Sequence, residues 1–319
     1  MTLRIGVDEN GLGPRLGPLI VTGVLAEVNE QGTKLVSRKA RGRLADVLGD
    51  SKAMISHGDV SLGEAWARVL ATRGCARPGT EPTSVESLVH GLSLDDVEEL
   101  RRPCPSQVSS MCWSPEGEAF GATAELLTEI GRHLDALAKK GVVIRAVRSA
   151  IVCNKRLNDA FAQGRSRFHV DLHAMERLVL ALREEAGADI DAVCGKVGGL
   201  GDYASAFGPL AGRLHVQLEK TRARSAYHFP GVGRIAFVMD ADDSDLLVGL
   251  ASMVGKYLRE VLMSRIARSL GGAEASASGY YDPRTTAFIA ATTLVRKKRR
   301  IPDTCFERRT AARDAESPS

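Results

Sequence analysis

The stretch that most constrains this chain is Ile5-Gly-Val-Asp-Glu-Asn-Gly-Leu-Gly13. Ile5 and Val7 alternate with Gly6 as in a half-buried strand, and the strand then ends on two adjacent carboxylates, Asp8 and Glu9. Successive strand residues point to opposite faces, so these two can meet at one ion only where the backbone kinks. Gly6, Gly11 and Gly13 permit such a path and let main-chain N–H groups come close to a phosphate or a sugar. The same string also reads as an Asn-Gly hairpin turn, and a Gly-x-Gly alone is a weak phosphate-loop signal.

Around this feature the chain reads as alternating strands and helices, an α/β protein. Residues 18–28 form a short apolar, β-branched run, a second strand paired with the first. Gly49-Asp-Ser-Lys52 opens a helix with Asp50 or Ser51 as its cap. Residues 74–121, punctuated by five prolines, break into short helical pieces such as 93–102. Order resumes with an amphipathic helix over 122–140, a strand over 142–152, a helix over 169–185 and a strand over 190–197. An acidic cluster, Asp240, Asp242, Asp243 and Asp245, then precedes a helix over 248–260 whose Gly249, Ala251, Ser252 and Gly255 suit close packing on a sheet.

At 319 residues the chain can form one large α/β domain with an appendage, or two smaller domains. No stretch is long and apolar enough to span a bilayer, and no signal peptide precedes the first strand, so the expected location is cytoplasmic. The six cysteines include no Cys-x-x-Cys pair, which argues against a zinc ribbon or a redox motif. A net charge of +4 says little, but Arg296-Lys-Lys-Arg-Arg300 with Arg308, Arg309 and Arg313 is a patch that can track phosphates, ahead of a solvated tail.

Gly6-Val-Asp-Glu-x-Gly-x-Gly-Pro-x-x-Gly-Pro-Leu19 closely resembles the signature that opens the type 2 ribonuclease H family. The resemblance implies a ribonuclease H-like mixed sheet flanked by helices, with a small helical C-terminal region. The expected division is 1–257, carrying an insertion at 74–121, and 258–319. It further implies two-metal hydrolysis of RNA in RNA/DNA hybrids, or at ribonucleotides embedded in DNA, using Mg²⁺ or Mn²⁺, by a monomer.

Residue by residue, the family pattern makes Asp8 and Glu9 the first two of four metal-binding carboxylates. Asp242, ten residues before Ser252, is the fourth. Gly11 and Gly13 would offer backbone contacts, Lys52 a phosphate contact, Ser252 a place at the substrate, and Tyr280, with Tyr281 as the alternative, a stacking platform at the RNA/DNA junction. Two positions depart from the pattern. Cys194 stands at the third-ligand position, where a soft thiolate suits Mg²⁺ poorly; the Lys196 ammonium could neutralise the carboxylates in place of a metal, or Asp202 could supply the ligand if its loop folds back. Leu12 replaces an arginine whose charge Arg15 would have to supply. These departures keep open a second reading, a paralogue that binds hybrid or structured nucleic acid without cutting it.

Overall fold

The computed structural model describes residues 1–56, 58–74, 81–106, 111–198, 202–271 and 277–309. Cys75, Arg313 and the tail beyond 309 lie outside these residues. Seven strands, β1 (Thr2–Asn10), β2 (Leu19–Val28), β3 (Val142–Val152), β4 (Ile190–Gly195), β5 (Val216–Lys220), β6 (Arg224–Phe229) and β7 (Gly233–Val238), form one mixed sheet in the order β3-β2-β1-β4-β7-β6-β5. β1 lies inside the sheet, antiparallel to β2 and parallel to the central β4, which is in turn parallel to β7. A mixed sheet flanked by helices is what the opening motif implied.

Between the strands run α1 (Glu30–Val36), α2 (Ser51–Met54), α3 (Ser61–Gly74), α4 (Val85–Leu92), α5 (Val97–Arg101), α6 (Ala124–Lys139), α7 (Asn154–Ala162) and α8 (Arg167–Ala186). After β7 come α9 (Leu246–Gly271), α10 (Pro283–Ala291), α11 (Thr293–Lys298) and α12 (Asp303–Phe306). Two layers enclose the sheet. On one face α9 packs with Ile20, Val24, Trp66 and Leu70, and on the other α8 packs with Ile5, Val7, Val21 and Cys194. Strand alternation produces this split: Ile5 and Val7 face α8, while Gly6 faces α9 so closely that a β-carbon there would lie 2.3 Å from the Leu247 carbonyl carbon. The N-terminus of α9 is fixed by buried Asp245, which accepts from the N–H groups of Leu247 (2.9 Å) and Val248 (3.2 Å) and pairs with Arg4 at 3.1 Å. Burial nevertheless holds the Asp245 carboxyl up at about 6.

The 74–121 segment is part of the packing. Val85, Leu88, Val89 and Leu92 of α4 join the α9-side core, and Leu94 N–H donates to Ser149 O at 2.8 Å, covering the edge strand β3. The helical piece expected over 93–102 is α5 alone, since Ser93 is the C-cap of α4.

The boundary expected at 257/258 falls inside α9, which is continuous from Leu246 to Gly271. The segment beyond it returns to the first loop. Arg308 N–H donates to Arg15 O, and Asn154 Nδ2 holds Phe306 O at 2.6 Å.

Candidate active site

Asp8 leaves the end of β1 on the α9 face. Its cross-strand partner Thr22 lies on that face beside Gly255, and its carboxylate accepts from the Ser252 hydroxyl of α9. Ser252 Oγ lies 2.9 Å from Ser51 Oγ, so a chain of hydroxyls runs from α2 to Asp8. Glu9 alternates toward α8, as its partner Val21 does. The strand end still brings both carboxylates to one place. A β-carbon on Gly195, the last residue of β4, would sit 3.2 Å from Glu9 Oε2 and 3.3 Å from Asp8 Oδ1. Asp242, exposed in the 3-10 turn Ala241–Asp243, contributes negative charge to both.

The electrostatics record this crowding. Burial first, and then the charges of Glu9 and Asp242, hold the Asp8 carboxyl well above the usual carboxylate range, although Ser252 bonds to it. Burial lifts Glu9 to about 7, with Lys52 the cation that opposes the shift. Lys52 is exposed in the short α2 capped by Asp50, so it stands at the rim of the carboxylate group. Hard oxygen donors, crowded and short of cations, suit a hard divalent ion. Among the described residues no three ligand-type side chains already converge as a preformed metal site.

The sequence placed Cys194 at the third-ligand position, and the structure puts it elsewhere. Cys194 pairs with Val7, one residue short of Asp8, and its side chain is wholly buried on the α8 face with Leu172, Met175, Tyr203 and Phe237. Burial, together with the charges of Asp171 and Glu176, pushes its thiol up. The β4 residue that faces Asp8 and Glu9 is Gly195, which has no side chain. The substitutes also point away. Lys196 Nζ donates to Thr221 O and Arg222 O at 3.2 and 2.7 Å, and Asp202 caps Ala204 N–H and pairs with Lys220 at 3.3 Å.

A prediction follows for Cys194→Asp. Its carboxylate would enter an apolar cluster beside Asp171, so the variant is expected to lose about 2–3 kcal/mol of stability without gaining activity. Urea unfolding paired with a cleavage assay checks this, and undiminished stability with faster cleavage would mean that position 194 does face the site.

The glycine-rich loop is held from beneath by guanidinium groups. Arg308, 2% exposed, donates to Gly11 O at 2.6 Å, Leu12 O at 3.1 Å and Gly17 O at 2.6 Å. Burial, with Arg259 and Arg167 nearby, pulls its pKa down to about 9. Arg259 underlies Gly11, whose φ of +88° and lack of a β-carbon permit a contact that a side chain would close to 2.5 Å. Gly13 is exposed, with open space where a β-carbon would stand.

Tyr280 lies on the same assembly, 38% exposed, with the Arg259 guanidinium 4.8 Å from its ring centre. Arg15 does not supply the charge that Leu12 lacks, because it pairs with Glu307 at 2.7 Å. Arg167 does reach the place, with Nη1 3.5 Å from Leu12 O and 3.4 Å from Gly13 O. In the expected basic patch, Arg296 is buried, paired with Asp303 at 3.0 Å and stacked on Phe306, so it is a structural residue. The sequence reading passed over Arg167, Arg259 and Gly195, and none of these leaves a signal in the pattern of the sequence.

The mixed sheet flanked by helices and the carboxylates at the end of β1 agree with the resemblance of the opening motif to the type 2 ribonucleases H. In particular, the chain is 26% identical over 193 residues to the ribonuclease HII of Pyrobaculum neutrophilum, across 58% of this chain and 79% of that one. No protein-family model matches the chain. Among solved structures, a chain of the PCNA:RNase HII complex from Archaeoglobus fulgidus aligns over 98% of this chain and 99% of its own, at 17% identity and a TM-score of 0.48. The ribonuclease H2 of Pyrococcus horikoshii aligns over 96% of this chain and 92% of its own, at 14% identity and a TM-score of 0.46.

Proposed function

We propose that the protein is an endoribonuclease that hydrolyses the RNA strand of RNA/DNA hybrids, or ribonucleotides embedded in DNA. The observation that carries this reading is the meeting of Asp8 and Glu9 at the end of β1, with the charge of Asp242 acting on both, beside a glycine-rich loop. Asp8, Glu9 and Asp242 would hold Mg²⁺ or Mn²⁺, which when bound supply the Lewis acidity that phosphodiester hydrolysis requires.

The loop provides the grip. In a trans peptide the N–H of one residue points away from the carbonyl of the residue before it. Because Gly11 O and Leu12 O turn inward to Arg308, the N–H groups of Leu12 and Gly13 turn outward, where a phosphate or a 2′-hydroxyl can accept from them. Arg167 and Lys52 add positive charge on either side. Tyr280 offers an exposed ring, and Ser252 orients Asp8.

A second reading, binding without cleavage, is favoured by one observation: β4 presents Gly195, not a carboxylate, to the site. The deciding experiment offers the protein a full hybrid and a duplex bearing one ribonucleotide, with Mg²⁺ and with Mn²⁺. Cleavage at the ribonucleotide is expected. Salt-sensitive binding of both substrates without any cut would select the second reading, and no binding to either would remove both.

A further inference from the structure

The cations of this chain are not spread evenly. Five of them, Arg38, Lys39, Arg41, Arg43 and Lys140, line one cleft of about 350 Å³ together with His133. No acidic side chain lines it, and with a net charge of +4 for the whole chain these five account for more than all of the excess.

Two separate stretches build the cleft. Residues 38–43 follow α1, which ends at its C-cap Ser37, and Lys140 is the C-cap of α6. Leu35, Leu44, Leu137 and Leu246 give it an apolar lining along which arginine and lysine stems can lie while their charged heads stay in water. Gly42, at φ +58° with open space where a β-carbon would stand, turns the backbone between Arg41 and Arg43. All five cations are exposed, and among the described residues none of them enters an ion pair. Exposed arginines elsewhere are answered: Arg73 by Asp135, Arg102 by Glu99 and Arg145 by Glu27. Like charges gathered on one concave surface repel one another and focus a positive field, which an anion of high charge relieves. Three of the five are arginines, whose planar forks match two oxygens of a phosphate.

The place of the cleft says which phosphates. It lies on the α9 side of the sheet, the side on which Asp8 leaves β1. Leu246 in its lining and Ser252, which bonds to Asp8, stand on the same helix, about 9 Å apart along the axis at ~1.5 Å per residue. A nucleic-acid strand covers that distance in about three nucleotides at ~3.4 Å each. From Leu44 the chain runs through buried Val47 and Leu48 to Lys52, the cation at the rim of the carboxylate group.

We propose that this cleft binds the phosphate backbone of the nucleic acid a few nucleotides away from Asp8 and Glu9, as a second contact surface outside the carboxylate site. The proposal rests on the nucleic-acid reading of that site and extends its footprint along α9 to the end of α6.

The test is fluorescence anisotropy of a hybrid with the full chain, without divalent ion so that the strand stays intact. Wild type is compared with the triple variant Arg38→Ala, Arg41→Ala, Arg43→Ala, in which all three side chains are exposed and the fold should survive, as circular dichroism checks. Affinity is expected to fall at least about tenfold, and the slope of log affinity against log salt to become shallower by about 2–3, as the loss of three phosphate contacts requires. A second triple variant, Arg73→Ala, Arg102→Ala, Arg145→Ala, removes the same net charge from ion-paired arginines outside the cleft and should bind as wild type does. Wild-type affinity and slope in the cleft variant overturn the proposal, as do equal losses in both variants or a wild type that binds no hybrid. Titration with inorganic tripolyphosphate covers the other source of phosphate: a cleft variant that loses tripolyphosphate and keeps the hybrid gives the cleft to a small soluble anion and overturns the backbone assignment. A wild type whose hybrid binding depends on the cleft, and which cuts nothing when Mg²⁺ or Mn²⁺ is added, keeps this assignment and overturns the cleavage reading alone.

Discussion

Asp8→Asn is expected to reduce hybrid cleavage by at least about 1,000-fold, about 4 kcal/mol in the barrier, while hybrid binding stays close to that of wild type. Asp8 is the residue on which the site converges: Ser252 bonds to it, Glu9 and Asp242 crowd it, and Gly195 leaves the space beside it open. An amide there can still bond with Ser252, so the local packing should survive. What it loses is the negative charge that holds a divalent ion. The same substitution is expected to raise the melting temperature of the metal-free protein, since one of several mutually repelling charges disappears. Loss of turnover joined to a gain in stability separates a site residue from one that merely supports the fold, for which both would fall. Cleavage by Asp8→Asn within tenfold of wild type would remove Asp8 from the chemistry. A duplex bearing one ribonucleotide is the substrate to use for the rate, and fluorescence anisotropy of the uncut hybrid serves for the binding arm.

Gly6→Ala is expected to destabilise the fold by about 3 kcal/mol or more, with cleavage lost at temperatures where the folded population falls. The added β-carbon would lie 2.3 Å from Leu247 C, 2.4 Å from Val248 N and 2.6 Å from Leu247 Cβ. Two of these three are backbone atoms, so no rotamer change relieves the clash and the start of α9 must lift from β1. That end of α9 is also fixed by Asp245 and Arg4, which cannot follow without breaking a buried ion pair. Gly91→Ala is the matching control. It lies within α4 with nothing within 4 Å of the new β-carbon, and alanine there should be neutral or stabilising by up to about 1 kcal/mol on helix propensity alone. Urea unfolding of the two variants checks the pair, and equal stabilities would mean that α9 and β1 are not in the contact described.

Much of the scaffold was legible because the elements that carry it are strongly periodic. The strand over 142–152 and the helix over 122–140 stand within two residues of where alternation and amphipathicity put them. The carboxylates at the end of β1 were legible for another reason: two adjacent acids closing an apolar strand are out of place unless they have a task.

What sequence alone could not fix was the phase of β4. Whether Cys194 or Gly195 faces Asp8 depends on the register with β1, where Val7 opposes Cys194, and a shift of one residue exchanges the two faces. The guanidinium support of the loop was hidden because Arg308 is nearly 300 residues from Gly11, in a stretch whose composition resembles an exposed basic patch. Charge density along the sequence does not distinguish an arginine that meets phosphate from one that turns inward to carbonyl groups.

The return of the C-terminal segment to the first loop sets an order of events during synthesis. Residues 11–17 leave the ribosome almost 300 residues before Arg308, whose guanidinium fixes their carbonyls. Until then the sheet can assemble around β1 while the loop beside Asp8 and Glu9 has no guanidinium beneath it and its outward N–H groups have no fixed direction. A nascent chain therefore carries the acidic residues without the finished grip, and the part of the protein that would hold nucleic acid is the last to be set. Synthesis through Arg308 and competence of the site become a single event, so a product that stops before Arg308 would lack a shaped site.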